Sequence, residues 1–277
     1  MKIIKFIELA LQEDVKDGDY SSLSCISESN KAKVKLLVKE NGIIAGVNIA
    51  KEIFSYIDVN SNFKELIADG TKVNIGDIVF EVSGNSRKIL IAERLVLNVM
   101  QRMSAISTLT NKYVERIKDT KAKILDTRKT TPLLRFLEKQ AVKIGGGENH
   151  RMGLYDMIML KDNHIDFAGG IKKAVIQANL YITENNLNLK IEIETRNLDE
   201  VKQVIQVGNV DRIMLDNFSY SDLRKAVQMI NGVYETEASG GITLETIKEY
   251  ALCGVDYISV GAITHSAKNM DLSLKAL

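Results

Sequence analysis

Short runs of mainly apolar residues alternate with longer helical stretches through the second half of the chain. This alternation is typical of parallel βα units, because a crossover, usually a helix, must return the chain before the next parallel strand begins. A complete eight-stranded β/α barrel usually needs about 250 residues. The second half therefore predicts an incomplete barrel, unless residues 141–149 hold a further strand. Its six predicted strands are Lys123–Asp126, Asp156–Lys161, Lys190–Glu194, Asp211–Asp216, Tyr234–Ser239 and Asp256–Gly261.

The first hundred residues follow a different pattern. A stretch that partly alternates apolar and charged residues ends at Asn41-Gly42, a dipeptide that favours a hairpin, and 47–57 predicts a helix. The run D-G-T-K-V-N-I-G-D-I-V-F-E-V resembles part of a biotinyl or lipoyl hammerhead, without the modifiable lysine at its turn. Residues 87–118 predict a long helix with a break near Ser104.

Together these patterns predict an α/β protein of two domains. Residues 1–108 form an N-terminal α+β hammerhead-like sandwich domain, and 109–277 form the incomplete β/α barrel. The last residues of the chain are expected to pack back on the N-terminal domain.

Composition excludes several classes of protein. The chain has 277 residues and a net charge of +1, without the long basic tracts of a nucleic-acid-binding surface. It has no apolar run of about 18 residues and no recognisable signal peptide, so we expect no membrane association and a cytoplasmic location. Cys25 and Cys253 stand alone, which excludes a disulfide framework and a cysteine-based zinc site.

Positive charge is concentrated in residues 123–165, which carry eight Lys and Arg against five Asp and Glu. Arg135, Lys139 and Lys143 are spaced by four residues, which predicts one solvated face of a helix. The remaining basic groups, interspersed with Thr, Gly and Asn, suit a small anionic ligand. These candidate ligand-binding residues are Arg128, Lys129, His150, Arg151 and Lys161.

Each predicted strand leads into residues that can bind an anion, a sugar or a metal. In parallel barrels the active site lies at the carboxyl ends of the strands, and glycine-rich turns there often hold phosphate. Cations follow the first two strands, carboxylates the middle two and glycine-rich turns the last two, which predicts a composite site for an anion, a metal-bound polyol and a phosphate. The strand-end residues are Thr127, Arg128, Lys129, Lys161, Glu194, Asp216, Ser239, Gly240, Gly241, Gly261 and Ala262.

Periodicity leaves several assignments open. Glu192 and Glu194 share one strand face, so either can point into the site. Arg94 lies on a polar helical stripe that fits either ordinary surface or a pocket. By itself His150 fits a structural hydrogen-bonding role, although it stands beside Arg151 after three glycines, and His164 and His265 are interpreted as structural.

Several motifs resemble quinolinate phosphoribosyltransferase, the carboxylating nicotinate-nucleotide pyrophosphorylase of NAD synthesis. They are E-R-L-V-L-N-V-M-Q-R-M-S, D-T-R-K-T-T-P, G-G-G-E-N-H-R, K-D-N-H-I, I-E-I-E-T, M-L-D-N-F, E-A-S-G-G-I and G-V-D-Y-I-S-V-G-A-I-T-H-S. The resemblance covers nearly the whole chain. It implies a pentosyltransferase that joins quinolinate to phosphoribosyl pyrophosphate with Mg²⁺, giving nicotinate mononucleotide, pyrophosphate and CO₂.

The same resemblance implies a role for each site residue. Lys129, Lys161, Glu194 and Asp216 are the implied catalytic residues, and the two carboxylates meet magnesium indirectly, through bound substrate or water. Arg128, Lys129, His150, Arg151 and Lys161 are implied to hold the carboxylates of quinolinate and neighbouring phosphate oxygens, with help from Thr127. Ser239, Gly240, Gly241, Gly261 and Ala262 are implied to bind the 5′-phosphate. The family works as a homodimer or larger assembly, with Arg94 supplied across the interface.

Two departures and three rival functions accompany the resemblance. Leu133 and Ala105 stand where the family usually has glycine, which concerns backbone shape rather than charge. A related molybdenum-locus pyrophosphorylase-like protein with another substrate is the nearest rival. A lysine at a strand end, such as Lys161, also fits a Schiff-base aldolase, and a non-catalytic anion-binding barrel is the third rival.

Overall fold

The computed structural model describes residues 2–277, which form two compact units. Unit 1 contains the described residues up to Thr110, together with Thr131–Gly146 and Ser266–Leu277, and unit 2 contains Asn111–Thr130 and Gly147–His265. No helix among residues 2–277 is both long enough and apolar enough to span a bilayer.

Helices and strands are numbered in chain order. The helices are α1 Ile3–Asp14, α2 Tyr20–Cys25, α3 Val47–Ile57, α4 Ser86–Ile117, α5 Arg135–Ile144, α6 Asp162–Ala168, α7 Ile171–Glu184, α8 Leu198–Val207, α9 Tyr220–Ile230, α10 Ile247–Leu252 and α11 Ala262–His265. The strands are β1 Lys31–Val38, β2 Gly42–Ile43, β3 Asn62–Glu65, β4 Lys72–Val73, β5 Ile78–Asn85, β6 Lys123–Leu125, β7 Ile158–Leu160, β8 Ile191–Thr195, β9 Arg212–Asp216, β10 Glu235–Ser239, β11 Tyr257–Ser259 and β12 Leu272–Ala276.

Unit 1 is built on an antiparallel sheet with the strand order β12-β1-β5-β3. Alternate residues of β1 are buried, as expected for a strand that covers a core with one face. Phe54 of α3 packs edge-to-face on Phe80, whose ring lies 4.6 Å from that of Phe63 between centroids. These contacts bury the apolar face of the sheet, and they confirm an α+β unit at the start of the chain.

The hairpin predicted at Asn41-Gly42 is wrong. β2 pairs with β4, while β1 pairs with β5 and β12. The backbone N–H of Ile43 donates instead to the hydroxyl of Thr108 on α4, and a Cβ at Gly42 would lie 2.6 Å from that oxygen. The glycine is needed here for close approach to a helix rather than for a turn.

Helix α4 is continuous over 32 residues, so the predicted break near Ser104 is wrong. The Ser104 side chain is fully buried, and its hydroxyl accepts a hydrogen bond from the Ala45 amide and donates one to the Ala45 carbonyl. A serine within a helix often competes for its own backbone. In this helix the side chain bonds a neighbouring loop, so α4 stays regular.

The solvated face predicted for α5 is wrong at Lys139, which is only 1% exposed. Glu138 beside it is also fully buried, and its carboxylate forms an ion pair with Arg102 at 2.9 Å. The buried face of α5 is therefore wider than its apolar residues indicate. This face also includes the charged residues Glu138 and Lys139, and residue type alone does not predict that a charged side chain will be buried.

Unit 2 contains a parallel six-stranded sheet in the order β6-β11-β10-β9-β8-β7, with helices between consecutive strands from β7 to β11. All five residues of β8 and most of β9 and β10 are buried, as expected for parallel strands covered on both faces. The six predicted strands are confirmed. Within 141–149 the structure has the end of α5 and a single bridge between Leu125 and Glu148, so the incomplete barrel is the correct alternative.

Candidate active site

A cavity of about 900 Å³ opens in unit 2 at the carboxyl ends of the strands. The parallel strands all point their carboxyl ends to the same edge, so the residues that follow them converge there. The residues predicted from the strand ends line this cavity, together with two from the loop before β7. These are Thr127, Arg128, Lys129, His150, Arg151, Lys161, Glu194, Asp216, Ser239, Gly240, Gly241, Gly261 and Ala262.

Four cations line the cavity, namely Arg128, Lys129, Arg151 and Lys161. Arg151 is half-buried and donates from Nη1 to the Met157 carbonyl at 3.2 Å. Burial and the charge of Arg128 lower the pKa of the Arg151 guanidinium. The two guanidinium groups are close enough to repel each other. An anion with more than one negative charge would bind both and offset that repulsion.

Hydrogen bonds hold the backbone of this basic segment. The Lys129 amide donates to the Thr127 hydroxyl at 3.0 Å, and the Lys129 carbonyl accepts from the Thr264 hydroxyl at 2.9 Å. A Cβ at Gly261 would lie 3.2 Å from Cδ of Lys129. The aliphatic part of the Lys129 side chain therefore packs directly on Gly261, and the side chain lines the cavity.

Two carboxylates, Glu194 and Asp216, also line the cavity. Glu194 on β8 forms an ion pair with Lys161, with 2.9 Å between Oε2 and Nζ. Asp216 closes β9, and its Oδ2 accepts a hydrogen bond from Asn217 Nδ2 at 2.6 Å. Glu192 is fully buried and does not line the cavity, so of the two glutamates on β8 it is Glu194 that faces it.

Glycine-rich backbone forms the third part of the cavity wall. Gly240 and Gly241 follow β10 with φ of +100° and +60°, and Gly261 follows β11. A Cβ at Gly240 would lie 2.2 Å from Oδ1 of Asn217, so no other residue fits there without moving Asn217. Backbone N–H groups in such a turn are accessible to an anion.

The matches to protein families agree with this geometry. Residues 106–275 match the C-terminal domain of quinolinate phosphoribosyl transferase, and residues 19–104 match its N-terminal domain. The chain belongs to the quinolinate phosphoribosyltransferase family.

Relatives from plants and bacteria cover nearly the whole chain. A quinolinate phosphoribosyltransferase [decarboxylating] 1b of Nicotiana tabacum is 46% identical over 97% of this chain and 81% of its own length. A probable nicotinate-nucleotide pyrophosphorylase [carboxylating] of Bacillus subtilis is 40% identical over 99% of this chain and 93% of its own. The crystal structure of NadC from Streptococcus pyogenes superposes with a TM-score of 0.93, at 40% identity over 99% of this chain and 97% of that one.

One predicted site residue of this family member lies elsewhere. Arg94 is on α4 in unit 1 and does not line the cavity. It lines a groove of about 410 Å³ in unit 1, together with Asn98, Arg102, Pro132 and Leu133. The helical stripe of Arg94 fitted either ordinary surface or a pocket. The structure places Arg94 in a groove, but this groove is separate from the cavity of unit 2.

Leu133 has φ of +65°, in the left-handed region where the family usually has glycine, and 73% of the residue is exposed. That conformation costs a leucine about 1–2 kcal/mol. We expect Leu133→Gly to raise the free energy of unfolding by about 0.5–1 kcal/mol, because the relieved strain exceeds the extra entropy of an unfolded glycine. Urea denaturation measures it. Leu154→Gly is the matched control, since Leu154 is 72% exposed at an ordinary φ, and we expect it to destabilise the chain; equal effects of the two substitutions would contradict the strain.

A buried charged cluster adjoins the cavity, which two of its members, His150 and Glu237, also line, and the sequence did not reveal this cluster. His150 Nε2 lies 2.9 Å from Glu192 Oε2 and 3.4 Å from Glu237 Oε2. Arg212 Nη1 lies 2.9 Å from Glu237 Oε2, and its guanidinium stacks 4.1 Å over the Tyr257 ring. We call these side chains the ionic core. Its only sequence signal is charged residues at alternate positions of otherwise apolar strands.

Burial and mutual contacts set the charges of the ionic core. Burial and the charge of Glu237 raise the pKa of Glu192 to about 7. Burial opposes ionisation of Glu237 as well, but hydrogen bonding and charge from His150 and the charge of Arg212 lower its pKa. His150, Glu192 and Glu237 are close enough to share a metal ion. Arg212 already supplies positive charge to Glu237, so the set is a poor fit for a cation.

Further lining residues were missed because their types carry no catalytic signal in a sequence. His265, interpreted as structural, also lies on the cavity wall. The additional lining residues are Met159, Met214, Asn217, Glu237, Ile242, Thr243, Ser259, Val260 and His265.

Proposed function

We propose that this chain transfers the phosphoribosyl group of phosphoribosyl pyrophosphate to quinolinate with loss of CO₂, yielding nicotinate mononucleotide and pyrophosphate for NAD biosynthesis. The observation that carries the proposal is the convergence of cations, carboxylates and glycine-rich turns from six strand ends on one cavity. Each group matches one part of the two substrates. Family membership supplies the identity of the acid and of the sugar phosphate.

The cations suit a diacid. Quinolinate carries two adjacent carboxylates, and guanidinium groups bind a carboxylate through two parallel hydrogen bonds. Arg128 and Arg151 stand close enough for their charges to interact, so each can take one carboxylate. Lys129 and Lys161 add charge toward the phosphate oxygens.

The carboxylates suit the ribose and its leaving group. As pyrophosphate departs, positive charge develops at the anomeric carbon, and Glu194 and Asp216 stabilise it electrostatically. The pyridine nitrogen forms the new bond to that carbon. The C2 carboxylate then leaves as CO₂, its electron pair is stabilised by the adjacent ring cation, and a proton replaces it. These steps need no nucleophilic side chain.

We propose Mg²⁺ as the metal cofactor. The donor set fits, because Glu194 and Asp216 offer hard carboxylate oxygens at the cavity wall while each already contacts a protein partner. Such a site favours a Mg²⁺ that keeps waters and phosphate oxygens as ligands. When bound, the ion would neutralise charge on the departing pyrophosphate.

The glycine-rich turns suit the 5′-phosphate, and Gly240→Ala tests that role. We expect affinity for phosphoribosyl pyrophosphate to fall at least about tenfold, since the added Cβ displaces Asn217 and strains the turn by on the order of 1–3 kcal/mol. Calorimetry measures the binding. Gly232→Ala is the control, because it has a positive φ of +72° with nothing within 4 Å of its Cβ and lies outside the cavity. Equal affinity in Gly240→Ala and the unaltered chain would remove the turn from the phosphate site.

We also propose a homodimer or higher homo-oligomer in which Arg94 reaches the site of a neighbouring copy. Arg94 is absent from the lining of the cavity in its own chain, which is consistent with a role in trans. Mixing Arg94→Ala with Asp216→Asn tests it: hybrid assemblies should regain part of the activity, and no recovery in verified hybrids would oppose sharing. A cytoplasmic location stays a prediction.

The decisive assay incubates the purified chain with quinolinate, phosphoribosyl pyrophosphate and magnesium, and detects nicotinate mononucleotide and CO₂. Nicotinate in place of quinolinate is the parallel control. Lys161 Nζ is engaged by the Glu194 carboxylate at 2.9 Å, whereas a Schiff-base aldolase uses its lysine nitrogen as the attacking nucleophile. Binding without turnover would support an anion-binding barrel instead, and no consumption of quinolinate would favour the rival pyrophosphorylase-like protein.

A further inference from the structure

His150 lines the cavity, yet both of its ring nitrogens face protein groups. Nδ1 accepts a hydrogen bond from the backbone N–H of Arg151 at 2.7 Å. Nε2 points into the ionic core, 2.9 Å from the Glu192 carboxylate. The side chain is only 5% exposed. The imidazole is therefore placed between the backbone of a cavity cation and two buried carboxylates.

The Arg151 amide also selects the tautomer of His150. An N–H donor at 2.7 Å requires a lone pair on Nδ1, so the ring proton belongs on Nε2, which lies 2.9 Å from the Glu192 carboxylate and 3.4 Å from that of Glu237. Burial lowers the pKa of the imidazole, and the two carboxylates raise it by more. The charged form, however, would set an Nδ1–H against the Arg151 N–H only 2.7 Å away, and this direct contact between two donors keeps the ring neutral near pH 7.

The partners of His150 are themselves fixed. Glu192 on β8 and Glu237 on β10 are fully buried on either side of β9, and Arg212 holds Glu237 from the start of β9. On the other side, the His150 amide donates to Asp126 at 2.9 Å, directly after β6. The histidine thus ties the segment that carries Arg151 to the rigid strands at two points.

We infer that His150 is a positioning residue for Arg151: through Nδ1 it fixes the backbone from which the Arg151 guanidinium enters the cavity, and Glu192 and Glu237 orient the ring. This inference rests on the proposed function in one respect, since Arg151 is taken to bind quinolinate. It differs from a role in which the imidazole itself binds a substrate carboxylate. In this conformation neither nitrogen has an N–H directed at the cavity.

A matched pair of substitutions separates the two roles. Asparagine places Oδ1 close to the position of Nδ1, so His150→Asn keeps the acceptor for the Arg151 amide and loses the group at Nε2, whereas His150→Ala loses both. We expect His150→Ala to weaken quinolinate binding about tenfold, with phosphoribosyl pyrophosphate binding unchanged, and His150→Asn to restore most of the loss. Equal losses in both variants would overturn the inference.

A double-mutant cycle tests whether His150 acts through Arg151. If it does, His150→Ala adds no further loss of quinolinate affinity in an Arg151→Ala background, whereas a direct ligand adds its full effect there. His164→Asn is the control for a histidine-to-asparagine change, since His164 Nδ1 accepts the Lys161 amide at 3.0 Å in the same way outside the cavity lining. We expect it to bind quinolinate normally.

A readout without substrate keeps the inference apart from the proposed function and from misfolding. In the unaltered chain labelled with ¹⁵N-histidine, we expect His150 to show a protonated Nε2 and an unprotonated Nδ1 near neutral pH. A protonated Nδ1 would overturn the inference even if quinolinate binds. The expected tautomer in a chain that does not bind quinolinate would leave the positioning geometry standing and remove the proposed function instead.

Discussion

Arg128→Ala is expected to weaken quinolinate binding about 10- to 100-fold, because a charge-assisted hydrogen bond to a carboxylate contributes about 1.5–3 kcal/mol. Arg128 lines the cavity, and its charge bears on Arg151, so it belongs to the cluster best placed for two carboxylates. Affinity for phosphoribosyl pyrophosphate should fall much less, since the proposed phosphate turn and carboxylates are intact. Calorimetry with each ligand separately measures both quantities.

Arg224→Ala is the control for this prediction. It removes the same charge from an exposed position on α9 that does not line the cavity. It should leave quinolinate affinity unaltered. Equal quinolinate affinity in Arg128→Ala and the unaltered chain would contradict the role of Arg128, whereas equal losses for both ligands would indicate a general loss of positive potential.

The strand ends explain why so much of the cavity was predictable. Parallel βα units direct every strand's carboxyl end to one edge, so recognising six strands also assembles Arg128, Lys161, Glu194 and Asp216 in space. The chemistry of those residues then restricts the ligand. Substrate names came from the resemblance to a family, because charge and spacing distinguish an anion from a cation and not one diacid from another.

The ionic core shows that sequence patterns do not predict how deeply a charged residue lies in the barrel. Alternation places Glu192 and Glu194 on the same face of β8 but does not say how deep each lies in the barrel. Glu192 is buried with His150 while Glu194 reaches the cavity, a difference of one layer. Charged residues inside a barrel are indistinguishable by type from those at its mouth, so Arg212 was not identified at all.

The predictions of a hairpin at Asn41 and of a solvated helix face at Lys139 were wrong for a related reason. A turn signal at Asn41-Gly42 and an exposed helical stripe through Lys139 are local tendencies. No hairpin forms at Asn41-Gly42, where the Ile43 amide donates to the Thr108 hydroxyl instead. The stripe through Lys139 is not exposed, because that part of α5 is buried. Both outcomes depend on elements distant in sequence, whose packing a local pattern does not contain.

Asp216→Asn is expected to lower kcat roughly 100- to 1000-fold, the size of effect seen when one preorganised electrostatic group is removed from a transition state. Asparagine keeps the size of the side chain and removes its charge, so quinolinate affinity should change little. Asn217 donates to Asp216 and fixes its direction, which means that the carboxylate needs little reorganisation as positive charge develops on the ribose. Steady-state kinetics with calorimetry separates kcat from binding.

Asp222→Asn removes a charge of the same sign from α9, at a half-buried position outside the cavity lining that is paired with Lys225, and should leave kcat unchanged. Magnesium dependence gives a second criterion. If Asp216 orders the metal-bound pyrophosphate, half-saturation in Asp216→Asn requires more Mg²⁺ than in the unaltered chain. A normal kcat in Asp216→Asn would exclude the carboxylate from the transition state, and a reduced kcat with the original magnesium dependence would assign it to the ribose alone.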